Sequence, residues 1–254
     1  MRLPAADQPV ILDRKIMNTI SIPDSYRLRF LNIPDQLFTY LDHLLEKPST
    51  GSQFHAAMIN HPEKTFEAID SQFKSGAKIV SLSPDGLLKE LDFNRKDLSP
   101  ERIESLLGEL RTIHFLYNNG FTDIVPIRAA SKRSPDFTAK KNGVDFQIEV
   151  ASSIHSAPRT FHDSIVKWAT AKLKNDDKLS QMSSGSSESH KMFVCILNSS
   201  GAVALNEHSD YINMVKHVWE ALGSMPNFHI AIVTGRVSLR EGTDDCVFPS
   251  IHTL

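Results

Sequence analysis

The chain has 254 residues, of which 41% are hydrophobic and 23% charged, a composition typical of globular proteins that excludes disordered and fibrous classes. A net charge of -2 excludes indiscriminate binding to nucleic acid, so any attraction to phosphate would come from a local patch. The two cysteines lack metal-ligand spacing, and no window suits a signal peptide or a membrane helix. We therefore expect a soluble, cytoplasmic protein.

Residues 1–95 form a predicted N-terminal region that is mainly helical. Apolar residues recur at helical spacing through 27–46, and residues 62–73 read as a short amphipathic helix. The run 79–82 is a candidate short strand, which the Ser83-Pro84-Asp85-Gly86 turn would end. No residue pattern in this region indicates catalytic chemistry.

A longer helix is predicted from Pro100 to about Asn119. Ser99 is a typical N-cap, proline is favoured at the first helical position, and Gly120 supplies the stop. Glu109 lies beside the apolar stripe rather than opposite it, so its carboxylate would emerge at the edge of the core. The stripe itself comprises Ile103, Leu106, Leu107, Leu110, Ile113 and Tyr117.

A β-hairpin is predicted after a first strand at 122–127. Asn142-Gly143 between two alternating runs is the strongest short-range signal for a two-residue type I′ turn. The register that follows places Asp136 directly opposite Glu149. Because like charges at such positions destabilise a sheet, either a hard divalent cation or a shared proton should compensate them.

The remaining pattern alternates helices and strands. Helices are predicted at 161–181 and 211–222, and buried strands at 192–197 and 229–234. Helix, three strands, helix, strand, helix, strand is an α/β order. Residues 126–191 carry eleven Lys and Arg against seven Asp and Glu, a positive surplus suited to a phosphate backbone.

These residues together resemble the PD-(D/E)xK nuclease superfamily over roughly residues 101–200. The corresponding positions are Glu109 in GELRTIHFLYNNGF, Asp136 in SPDF and Glu149 in QIEVAS. The resemblance implies a restriction-endonuclease-like αβββαβ core with a mixed central sheet over residues 96–254. It also implies phosphodiester hydrolysis in DNA or RNA that depends on Mg²⁺, or alternatively Mn²⁺.

The resemblance further implies a role for each acidic residue. Asp136, Glu149 and the Val150 carbonyl would bind the metal, and Glu109 would ligate it through water or orient that water. Nucleic acid, chiefly DNA, is the expected partner, no membrane is expected, and a homodimer is a further option.

One position departs from the family pattern, because Ala151 stands where the family has a lysine. That lysine is thought to activate the attacking water and stabilise charge on the phosphate. Lys140, Lys167 and Lys172 are candidates to replace it. Two rival interpretations stay open: a nuclease-fold module that binds nucleic acid without cleaving it, and a non-enzymatic interaction or scaffold protein.

Overall fold

The computed structural model describes residues 21–46, 53–128, 134–153, 161–175, 188–197, 208–223, 225–234 and 246–251. Within these ranges the fold is mixed α/β, with eight helices and a six-stranded sheet. The helices are α1 (Asp24–Arg29), α2 (Asp35–Leu45), α3 (Gln53–Asn60), α4 (Pro62–Ile79), α5 (Pro84–Glu90), α6 (Pro100–Asn118), α7 (Phe161–Asn175) and α8 (His208–Ala221). The strands are β1 (Thr122–Pro126), β2 (Phe137–Lys141), β3 (Val144–Ser153), β4 (His190–Leu197), β5 (Phe228–Thr234) and β6 (Cys246–Phe248).

In the described part of residues 1–95 the regular elements are all helices, joined by turns, so the short strand predicted at 79–82 is wrong. Helix α4 runs to Ile79, and Ser81 turns the chain with φ 57°. Ser83 then caps α5 by accepting a hydrogen bond from the Gly86 N–H at 3.0 Å. The run contains the polar residue Ser81, and its residues form the end of α4 and the turn after it instead of a strand.

The sheet is mixed, as predicted, with the strand order β1-β2-β3-β4-β5-β6. Strands β1 to β3 pair antiparallel, β3 to β5 pair parallel, and β6 pairs antiparallel with β5. The hairpin register is confirmed from Lys141 opposite Val144 to Phe137 opposite Ile148. Its turn has positive φ at both central residues, 50° at Asn142 and 82° at Gly143, as a type I′ turn requires. The sequence patterns did not predict β6.

Two hydrophobic clusters cover the two faces of the sheet. Ile148 and Val150 of β3 pack in the first cluster with helices α2 to α6, whereas Ala151 belongs to a second cluster with α7 and α8. This follows from the alternation of side chains along a strand. The first cluster contains residues from both sides of position 95, so the division into 1–95 and 96–254 stays a prediction.

Helix α6 lies between the sheet and the N-terminal helices. Five residues of the predicted stripe, Ile103 to Ile113, are buried, but Tyr117 is 58% exposed and was wrongly included. The helix also approaches β3 closely, because a Cβ at Gly108 would overlap the Ser152 hydroxyl and lie 3.4 Å from Ile196. A small residue is therefore required one position before Glu109.

A histidine pair joins the beginnings of β4 and β5. His190 Nδ1 lies 3.0 Å from His229 Nε2, and His229 Nδ1 lies 2.9 Å from the Pro249 carbonyl oxygen. Because that carbonyl only accepts, His229 donates from Nδ1 and accepts from His190. Burial lowers the pKa of both imidazoles, and for His229 the Pro249 carbonyl partly opposes this shift while His190 adds to it.

None of the helices in the described ranges is both long enough and apolar enough to cross a membrane.

Candidate functional site

The candidate site lies where β3 extends past the start of β2. Strand β2 begins at Phe137, opposite Ile148, so the backbone of β3 from residue 149 onward has no β2 residue to pair with. The Asp136 carboxylate takes that place, because its Oδ2 accepts a hydrogen bond from the Val150 N–H at 2.7 Å. The Asp136 carbonyl accepts from the Ile127 N–H at 2.8 Å. Asp136 is thus fixed between the end of β1 and the free edge of β3.

Asp136 and Glu109 line one cavity of about 160 Å³. Two of the three predicted site residues therefore line the same cavity, one from the loop before β2 and the other from α6. Among the described residues, the cavity is lined by Glu90, Leu91, Asp92, Arg102, Glu109, Ile127, Asp136 and Phe137. The four acids and one arginine of this described lining make it polar and acidic.

Glu109 reaches the cavity because one face of α6 is not fully covered. Arg102, Ser105 and Glu109 are half-buried, whereas the residues between them are buried. These three positions recur at steps of three and four residues and share one helix face. The prediction that Glu109 emerges at the edge of the core is confirmed.

Glu149 lies elsewhere. It is 2% exposed, and it is absent from the cavity lining within the described residues. Its neighbours Val150 and Ala151 belong to the first and second clusters respectively, so alternation places the Glu149 side chain on the face covered by α7. Helix α6 covers the opposite face, so Glu109 and Glu149 approach the sheet from different sides.

The Val150 carbonyl points toward the cavity side of β3. In an extended strand the N–H and C=O of one residue point to the same edge. Because the Val150 N–H points to Asp136, its carbonyl lies on the Asp136 side as well. This orientation is the one that a metal ligand next to Asp136 requires.

Ala151, the position of the missing lysine, is 8% exposed and packs in the second cluster with Ala169 and Leu173 of α7. A lysine side chain there would meet apolar groups of that helix.

The described residues contain no group of three or more His, Cys, Asp or Glu side chains arranged to hold a metal ion. Mg²⁺ needs fewer protein ligands, since one or two carboxylates with water suffice. Asp136, Glu109 and the Val150 carbonyl offer oxygen ligands of the type that this ion prefers. The donors at the cavity therefore fit Mg²⁺, whereas a site made only of clustered side chains is absent from these ranges.

Arg102 is a cavity residue that the sequence interpretation missed. Its Nη2 donates to the Asp92 carbonyl oxygen at 2.6 Å, and its guanidinium carbon lies 5.2 Å from the centre of the Phe93 ring. Arg128 lies on the other side of Asp92, with 3.6 Å between its Nε and the Asp92 carboxylate. The signal was present in the sequence, because Arg102 precedes Glu109 by seven residues, which is two helical turns.

The predicted basic patch is divided between structural and exposed cations. Lys141 is buried and donates to the Asn119 carbonyl at 2.5 Å, while Lys140 lies 3.5 Å from an Asp123 carboxylate oxygen. Lys167 and Lys174 are exposed on α7. Lys132, Arg133, Arg159 and Lys178 fall outside the described residues.

Comparison with known proteins gives little guidance. No family model matches the chain, and no curated protein matches it. Among solved structures, the restriction endonuclease FokI bound to DNA is similar at 12% identity and a TM-score of 0.27. That similarity covers 75% of this chain and 29% of the FokI chain, and at such a TM-score it carries no argument about fold or activity.

Proposed function

We propose that this protein is a metal-dependent nuclease that hydrolyses phosphodiester bonds in DNA or RNA, with a restriction-endonuclease-like core. The observation that supports this most strongly is the cavity in which Glu109 and Asp136 meet beside Val150. Four acids beside a single arginine form an environment that a divalent cation would stabilise.

Asp136 and the Val150 carbonyl would hold the cation, and Glu109 would ligate it through water or orient that water. Bound Mg²⁺ supplies Lewis-acid stabilisation of phosphate charge and lowers the pKa of water. The chain's own contribution is positioning, because the hydrogen bond from Val150 fixes the Asp136 carboxylate and burial of α6 fixes Glu109. The family resemblance implies that Glu149 also binds the metal, but Glu149 does not line this cavity, so the ligands proposed here are Asp136 and the Val150 carbonyl.

Calorimetric titration with Mg²⁺ and Mn²⁺ tests the metal site. Wild type should bind one or both ions, and Asp136→Asn and Glu109→Gln should each weaken binding about tenfold or more, since each removes a negative charge from the site. Asp35→Asn is the matched control, because Asp35 is 94% exposed at the start of α2 and outside the cavity. Wild type that binds neither ion would refute the proposal.

A cleavage screen tests the reaction itself. Labelled single-stranded and duplex DNA and RNA are incubated with the protein and Mg²⁺ or Mn²⁺, and cleavage should disappear in Asp136→Asn but persist in Asp35→Asn. Cleavage that survives in Asp136→Asn would indicate a contaminating nuclease.

A second candidate function, nucleic-acid binding without cleavage, is favoured by one observation. The position of the catalytic lysine is filled by Ala151 and packed against α7, so this strand offers no general base there. Metal and nucleic-acid binding without cleavage in the same screen would support this candidate. A protein that binds neither metal nor nucleic acid would favour the scaffold interpretation.

A further inference from the structure

We infer that Arg102 binds the substrate phosphate at this cavity and supplies the positive charge that the missing lysine would provide. This inference rests on the proposed function and assigns a binding residue within it. The cavity brings Arg102 together with Glu109 and Asp136, whereas Lys140, Lys167 and Lys172 do not line it.

The first argument is preorganisation of the side chain. Arg102 is held from two directions, by the hydrogen bond to the Asp92 carbonyl and by the Phe93 ring. A guanidinium restrained in this way loses little conformational entropy when it binds an anion. A flexible surface lysine would lose more.

The second argument is unused donor capacity. The Arg102 Nε is buried and has no hydrogen-bond acceptor in the part of the chain that the structure describes. A buried donor without a partner is costly, and five N–H groups in a planar fork match the oxygens of a phosphate. A phosphate in the cavity would therefore offer Arg102 acceptor oxygens that the described residues do not provide.

The third argument is charge. Glu90, Asp92, Glu109 and Asp136 surround the cavity, and a phosphodiester would be repelled without a fixed cation. Arg102 provides that cation from α6 rather than from β3. A second cavity of about 370 Å³ shares Asp92 and is lined by Lys89, Arg128 and Asp85, so its described lining balances two acids with two cations and is less acidic than the first.

The role assigned to Arg102 is electrostatic. Guanidinium does not act as a general base in proteins, so Arg102 would bind and orient the phosphate, and water activation would fall to other groups. Arg102 would therefore supply the stabilisation of phosphate charge that is attributed to the family's lysine, but not the activation of water.

The test is equilibrium binding of fluorescein-labelled 20-nucleotide DNA and RNA, single-stranded and duplex, with Ca²⁺ as a non-catalytic divalent ion. Affinity is measured by anisotropy over a series of salt concentrations. In Arg102→Ala we expect affinity to fall about tenfold and the salt dependence, log Kd against log salt, to decrease in slope by about one, as loss of one phosphate contact predicts.

Arg27→Ala is the matched control. Arg27 makes the same two kinds of contact, with 2.8 Å between its Nη2 and an Asp42 carboxylate oxygen and 4.9 Å to the centre of the Phe38 ring, but it lines neither cavity. Its removal should change unfolding free energy without changing the salt slope. If Arg102→Ala does not fold, Arg102→Gln replaces it, since glutamine still donates to the Asp92 carbonyl.

The outcomes separate the two proposals. Wild-type binding with an unchanged affinity and slope in the Arg102 variant overturns the assignment of Arg102 but leaves the proposed nuclease standing. Wild type that binds no nucleic acid under any of these conditions refutes the proposed function and this inference with it.

Discussion

Gly108→Ala tests whether the close contact of α6 with β3 positions the site. The new Cβ would overlap the Ser152 hydroxyl and lie 3.4 Å from Ile196 Cγ1, so the Ser152 side chain must rotate or α6 must shift away from the sheet. Overpacking destabilises by about 1–3 kcal/mol, and replacing a helical glycine by alanine stabilises by about 0.5–1 kcal/mol. We expect the free energy of unfolding, measured by urea denaturation, to fall by about 0–2.5 kcal/mol.

Two comparisons make this prediction specific. Gly76→Ala should be neutral or stabilising, because its Cβ would meet Leu87 at 3.5 Å and Leu110 at 3.6 Å, which are ordinary contacts. Ser152→Ala should rescue Gly108→Ala, since it removes the overlapping hydroxyl, whose oxygen is buried without a hydrogen bond to any described residue. The double-mutant cycle then gives a coupling energy between the two positions.

A stabilised Gly108→Ala, or a double mutant that is no better than the single one, would refute the packing argument. The same variants also report on the site. Displacement of α6 moves Glu109 relative to Asp136, so Gly108→Ala should weaken metal binding, and Ser152→Ala should restore it.

Three further predictions follow from single contacts. Ala151→Lys should destabilise the protein by about 2–3 kcal/mol in urea denaturation, because it places a charge among apolar groups of α7, and gain of cleavage with unchanged stability would contradict this. Burial lowers the pKa of His190 and His229, so on acidification the unfolded chain binds protons at these residues at a higher pH than the folded protein does. The free energy of unfolding should therefore fall as the pH drops below about 6.5. His229→Gln should make this fall smaller, and identical pH profiles for the variant and wild type would contradict the prediction. Asp136→Ala should lower the free energy of unfolding by about 1–3 kcal/mol and accelerate hydrogen exchange of the Val150 amide, because that amide loses its acceptor. Asp136→Asn keeps an acceptor oxygen and should destabilise less. A Val150 amide that stays protected in the alanine variant would exclude the hydrogen bond.

Local signals in the sequence predicted the elements that carry the site. Asn142-Gly143 fixed the register of the hairpin, since both residues readily adopt the positive φ values that a two-residue type I′ turn requires. Proline after Ser99 located the start of α6, although the Ser99 side chain makes no capping hydrogen bond. The direction of Glu109 followed from helical periodicity alone.

The features that failed depend on packing between elements distant in sequence. Apolar spacing alone cannot tell whether a neighbour covers Tyr117, and it cannot distinguish a four-residue strand from the end of α4. The separation of Glu149 from the cavity depends on which helix covers each face of the sheet. The side chain of Arg102 is held by Asp92 and Phe93, which precede α6, and helical periodicity does not predict contacts between separate segments.

Helix α6 has apolar contacts on almost its whole circumference, so its burial depends on both the N-terminal helices and the sheet. Its outer side packs against α4 and α3 and its inner side against β3, within one cluster. In a chain that kept the sheet and α6 but lacked the preceding helices, the apolar outer side of α6 would face water. The acidic cavity therefore depends on the N-terminal region, which buries the outer side of α6 and contributes Glu90 and Asp92 to the lining.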